Sequence, residues 1–77
     1  MLPEAREALD AITGPSFSKI MRRLGALRDF PDMGSPMFGP YTGYRSLVVG
    51  FYRIVYRALP NQVEVAYIRD FRRRPLA

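Results

Sequence analysis

Seven arginines, Arg45, Arg53, Arg57, Arg69, Arg72, Arg73 and Arg74, lie in residues 41–77 against only two carboxylates, Glu64 and Asp70. Seven basic and two acidic groups leave that half with the chain's whole net charge of +5. The other half is neutral: Arg6, Lys19, Arg22, Arg23 and Arg28 are balanced by Glu4, Glu7, Asp10, Asp29 and Asp32. The choice of arginine matters, because its planar fork holds a phosphate or carboxylate through two parallel hydrogen bonds. A basic surface of this kind suits a polyanion or an acidic protein.

Other chemistries are poorly supplied. The 77 residues contain no histidine and no cysteine. Zinc sites built on those residues, disulfides, thiolate nucleophiles and an imidazole titrating near neutrality are therefore excluded, and no metal or cofactor is expected. There is no Gly-rich phosphate loop, no paired-acid constellation and no nucleophile beside a base. No apolar run approaches the roughly 18–20 residues needed to cross a bilayer, and the opening MLPEAREALD lacks the order of a secretion signal. A cytoplasmic protein forming a single domain over residues 1–77 is the resulting expectation.

The elements that must position the arginines follow from periodicity. Ala5, Ala8, Leu9 and Ile12 recur at helical spacing, with Pro3 suited to the first turn. Gly14-Pro15 breaks the pattern, and Ser16 is read as the cap of a second helix with the stripe Phe17, Ile20, Met21, Leu24 and Leu27. So short a break predicts an antiparallel two-helix hairpin. Residues 31–43, dense in Pro and Gly, read as a loop. Three segments rich in β-branched and aromatic residues follow, at 45–49, 52–59 and 62–68, with turns at Gly50-Phe51 and Pro60-Asn61. The expected fold is α+β, with the helix hairpin packed on a three-stranded antiparallel sheet.

Strand period two puts Arg53, Val55 and Arg57 on one face of the middle strand and Tyr52, Ile54 and Tyr56 on the core face. Arg53 and Arg57 are then roughly 13 Å apart, at about 3.3 Å per residue. Arg45 shares a face with Leu47 and Val49, and Glu64 and Asp70 are the expected ion-pair partners of the arginines. A lone strand arginine is commonly just a solvated position, and a run such as Arg72–Arg74 just a solubilising tail. Two arginines on one face with a basic cluster after the next strand support a binding surface.

The wording of the chain adds a resemblance. PDMG at 31–34, GYRSLVVGFYRIVYR at 43–57 and VEVAYIRDFRRRP at 63–75 resemble the RelE/ParE superfamily of toxins from type II toxin–antitoxin operons. The helical segments LPEAREALDAI and SKIMRRLGALRDF fit the same pattern, so the likeness runs through nearly the whole chain. Members usually open with a β-strand before the first helix; here Leu2-Pro3 stands where that strand would already have ended, and its absence would leave a sheet edge or apolar surface open. Asp70 stands where members often carry histidine, and residues 41–77 contain no lysine of the kind found in the ribosome-dependent nucleases.

The resemblance implies a growth-arresting toxin with a small acidic cognate antitoxin, and a symmetric homodimer when free. Three activities stay open. A ParE-like toxin blocks DNA gyrase by binding, with Arg45, Arg53, Arg57, Arg72, Arg73 and Arg74 as contacts to target or antitoxin. A RelE-like toxin cuts mRNA on the ribosome, with Arg53, Arg73 and Arg45 as the catalytic residues. A non-toxic basic module would bind nucleic acid through its charge, with Tyr41, Tyr44 and Phe71 for stacking. The wording Arg-x-Leu-Val-Val-Gly-x-Tyr-Arg-Ile-Val-Tyr favours the ParE-like reading.

Overall fold

The computed structural model describes residues 1–72, so Arg73 and Arg74, both expected site residues, lie outside the described residues. The chain forms α1 (Pro3–Asp10), α2 (Pro15–Ala26), β1 (Ser35–Pro36), β2 (Arg45–Val49), β3 (Tyr52–Leu59) and β4 (Gln62–Asp70). The strands make one antiparallel sheet in the order β1-β2-β3-β4. This is the expected α+β class, with four strands in place of three.

The additional strand comes from the segment read as a loop. Ser35 and Pro36 pair with Ser46 and Arg45, and a single 3-10 turn, Gly39–Tyr41, follows. Two residues with a proline among them are too short to show a period-two pattern. The cap of α2 also differs: Gly14, at φ 71°, precedes Pro15 in the first helical position, so the helix starts before Ser16. Pro15 sets the helical φ where its missing N–H costs nothing. β4 continues past Ile68 to Asp70.

Both helices lie on one face of the sheet, α1 against β4 and α2 against β2. The core between them gathers Ala5, Leu9, Ile12, Ile20 and Leu27 from the helical layer, with Leu47, Val49, Ile54, Tyr56, Val65 and Ile68 from the strands. The Ile54/Tyr56 face is thus the buried one, as its alternation implied. The α2 stripe is narrower than its spacing suggests: Phe17 and Met21 are exposed. Met21 and Leu24 instead line a groove of about 940 Å³ between α2 and the β3–β4 hairpin.

Two devices fix the register of the sheet. One is a bulge in β4: Val55 pairs with Tyr67 and Tyr56 with Val65, leaving Ala66 unopposed. The extra residue changes which parity faces the core. Val65 before it and Ile68 after it are both buried, while Tyr67 and Arg69 turn to the other face. The second device is the Tyr56 hydroxyl. It accepts a hydrogen bond from the Gly34 N–H at 2.8 Å and donates one to the Pro31 carbonyl at 2.8 Å, tying the segment after α2 to the middle strand. A Cβ on Gly34 would stand 2.7 Å from the Ser46 carbonyl oxygen and 2.8 Å from that hydroxyl, so only glycine fits.

Candidate functional site

The face of the sheet away from the helices carries three rows of residues set by the register. Val48, Arg53 and Arg69 lie side by side across β2, β3 and β4, followed by Ser46, Val55 and Tyr67 and then by Arg57 opposite Glu64. One side of this face is internally satisfied. Arg57 Nε bonds Glu64 Oε1 at 3.0 Å, and the Arg57 guanidinium stands 5.4 Å from the centre of the Tyr44 ring. Tyr41 meets both Tyr44 and Tyr67 edge-on, at 6.2 and 6.3 Å between centroids. The 3-10 turn that carries Tyr41 is thus folded against this face. Val55, paired with Tyr67 on this face, is fully buried yet outside the main core.

The other side is arranged oppositely. Arg53 and Arg69 are directly paired across β3 and β4, both exposed. Directly opposed residues in an antiparallel pair have Cβ atoms about 4.5–5.5 Å apart, and like charges there destabilise the sheet. Among the described residues the Arg53 side chain has no hydrogen-bond or ion-pair partner, and the Arg69 side chain has only the Tyr67 ring, 5.6 Å from its guanidinium. Val48, in the same row, is 49% exposed.

Beside that row stand two aromatic residues. Gly50, at φ 61°, makes the two-residue turn between β2 and β3, placing Phe51 at its outer corner. The Phe71 N–H donates to the Phe51 carbonyl at 3.0 Å, which brings the rings to 6.3 Å. Both rings remain about half exposed, at 51% and 49%. Arg72 lies 4.0 Å from the Phe51 ring centre and is bonded to Asp70 through Nη2 at 3.1 Å and Nε at 3.3 Å. The hydrogen bond to Asp70 raises the pKa of Arg72 above its ordinary value, against a smaller opposing effect of burial.

The remaining expected residue sits elsewhere. Arg45 shares the helix side with Leu47 and Val49, and its Nη1 donates to the carbonyls of Gly34 at 2.8 Å and Asp32 at 3.4 Å. Its Nη2 lies 3.6 Å from the Asp32 carboxylate. Arg45 therefore anchors the segment after α2, and the sheet separates it from Arg53. The expected pairings of Glu64 and Asp70 with arginines are present, on Arg57 and Arg72. Arg69 was not among the expected site residues: its place opposite Arg53 depends on the bulge at Ala66, which strict alternation does not reveal.

Among the described residues no cluster of three His, Cys, Asp or Glu side chains could hold a metal ion, and no helix is long and apolar enough to cross a membrane. The arrangement is suited to holding an anionic group at Arg53 and Arg69 beside an apolar contact. No curated protein and no solved structure matches the chain. A family model described as the ParE toxin of the type II toxin–antitoxin system parDE matches residues 2–75. So extensive a match settles the family: the chain belongs to the ParE toxins of type II toxin–antitoxin systems, within the RelE/ParE superfamily.

Proposed function

We propose that this toxin arrests growth by binding DNA gyrase, and that the arginine row on the open face of its sheet contributes to that contact. The observation that carries the reading is the Arg53–Arg69 pair, a like-charge pairing that folding does not favour and an anionic partner would relieve. A hydrogen bond from either guanidinium to a charged group is worth roughly 1.5–3 kcal/mol. The flanking Val48, Phe51 and Phe71 offer the apolar contact that lowers the dissociation rate, while the one-sided charge speeds encounter.

Binding alone accounts for toxicity in this reading, so no proton needs to move. The side-chain hydrogen-bond donors on this face are the arginines, the tyrosines and Ser46, which can donate to anions at neutral pH. A cognate antitoxin completes the system as the family implies, and its acidic character would match the +5 charge.

Two assays on the purified toxin test the proposal: DNA supercoiling by gyrase, and mRNA cleavage on translating ribosomes. Inhibited supercoiling with intact mRNA is expected, and Arg53→Ala should weaken the inhibition about 10-fold or more. Ribosome-dependent cleavage that disappears in Arg53→Ala would replace this reading with that of an mRNA endonuclease.

A further inference from the structure

We infer that Arg53 and Arg69 together form a clamp for one carboxylate of the cognate antitoxin, with the adjoining Val48, Phe51 and Phe71 receiving an apolar side chain next to it. The inference rests on the reading of this chain as a toxin with an antitoxin partner and adds the place and chemistry of the contact. It begins from a cost. Two arginines opposed across a strand pair repel each other, and β4 needs a bulge at Ala66 to bring Arg69 into that position. The same sheet shows the favourable alternative, because Arg57 is opposed by Glu64 at 3.0 Å. One acceptor placed between Arg53 and Arg69 would turn the repulsion into two charge-assisted hydrogen bonds.

The surroundings distinguish a protein segment from a nucleic acid. A single strand would need open aromatic faces for its bases. The guanidinium of Arg72 already occupies the ring face of Phe51 at 4.0 Å, and Phe71 leans on that ring at 57° between planes. What these residues leave toward solvent is an apolar border formed with the aliphatic Val48. A charged clamp with an apolar border fits an acidic segment carrying Asp or Glu next to Leu, Ile or Phe. Charge complementarity favours the antitoxin as its source, since its partner is a surface with five excess positive charges.

The test uses the full-length toxin and the purified product of the open reading frame adjoining its gene, with dissociation constants measured by titration calorimetry. Arg53→Gln and Arg69→Gln should each weaken binding roughly 10- to 100-fold. The double variant should fall short of the product of the two losses, because both arginines hold one group. Phe71→Ser should also weaken binding, while Arg22→Gln, which removes the same charge from α2, should change it less than about 3-fold. Neither glutamine variant should lower the melting temperature, since each removes a like-charge contact. That combination of weaker binding with undiminished stability separates a clamp from a structural role.

Wild-type affinity in Arg53→Gln and Arg69→Gln overturns the inference, as does a double variant whose losses simply multiply. A ten-nucleotide single-stranded RNA that binds wild type and is lost in both variants, while antitoxin affinity is unchanged, would assign the clamp to phosphate and likewise overturn it. If the adjoining gene product does not bind wild-type toxin at all, the toxin–antitoxin reading fails and the inference fails with it.

Discussion

Two arginines on one strand, four residues apart and facing the same way, have been given opposite surroundings. Arg57 meets a carboxylate 3.0 Å away and a tyrosine ring, under a turn that folds over its side of the sheet. Arg53 meets another arginine, with exposed Val48 in the same row and Phe51 close by. Arg57 has its counter-charge within the chain, and among the described residues Arg53 has none. Residue type and exposure alone would rank the two alike; the cross-strand neighbour distinguishes them. In a small domain with a modest core, a local sacrifice of stability at one end of a sheet is a physical sign of a contact surface.

The comparison depends on β4 being out of phase with itself, and inserting one alanine between Tyr67 and Ile68 should break it outright. With the bulge kept at Ala66, every residue after the insertion would change faces. The inserted alanine would take the core position of Ile68, Ile68 would turn to solvent and Arg69 inward. Exposing one buried Ile costs about 1.5–3 kcal/mol, and an unpaired guanidinium turned inward costs more. A loss above roughly 4 kcal/mol is expected against a total stability of about 4–12 kcal/mol for a domain of this size. Urea unfolding measures it. An insertion protein of nearly native stability would show that the bulge does not fix the register.

A smaller loss tests the opposite face of β3. Arg53 is presented only because Ile54 and Tyr56 on the other side are held firmly, the tyrosine through its bonds to Gly34 and Pro31. Gly34→Ala would force its methyl group against the Ser46 carbonyl and the Tyr56 hydroxyl. A cost of about 1–3 kcal/mol is expected from the crowding, with up to about 1.5 kcal/mol more if the hydrogen bond is lost. The denaturation midpoint should fall while the slope stays constant. Such a protein loses both arginine rows together on unfolding, unlike a change confined to one row.

Much of this was legible in the sequence. β-branched and aromatic runs delimited β2 and β3 to the residue, and alternation along β3 assigned Ile54 and Tyr56 to the core and Arg53 and Arg57 to the far side. Glu64 and Asp70 were readable as ion-pair partners because few carboxylates share the half-chain with the arginines. The strand Ser35–Pro36 was not, since its two residues form a strand only through pairing with β2. Nor was the role of Arg45, which depends on where the segment after α2 returns. Arg69 escaped for the most instructive reason. Alternation is a property of one strand, whereas a bulge is a property of two, so the residue opposite Arg53 becomes known only when the pairing is known.

The smallest expected effect is also the most direct measure of the difference between the two rows. Arg69→Glu would give the Arg53 row the composition of the Arg57 row, placing a carboxylate directly across from Arg53. Glu64→Arg would do the reverse, placing a guanidinium across from Arg57. Each change alters an exposed or half-exposed cross-strand pair, so each should be worth only about 0.2–1 kcal/mol. The signs should differ: Arg69→Glu stabilises the fold and Glu64→Arg destabilises it. Both effects should shrink at 1 M salt, where the screening length is about 3 Å. Paired thermal melts at low and high salt read these shifts. If the two substitutions move stability in the same direction, the rows do not differ electrostatically in the folded protein. If they move in opposite directions, and Arg69→Glu also relieves growth arrest in induced cells, the stability forgone at the Arg53 row is linked to toxicity.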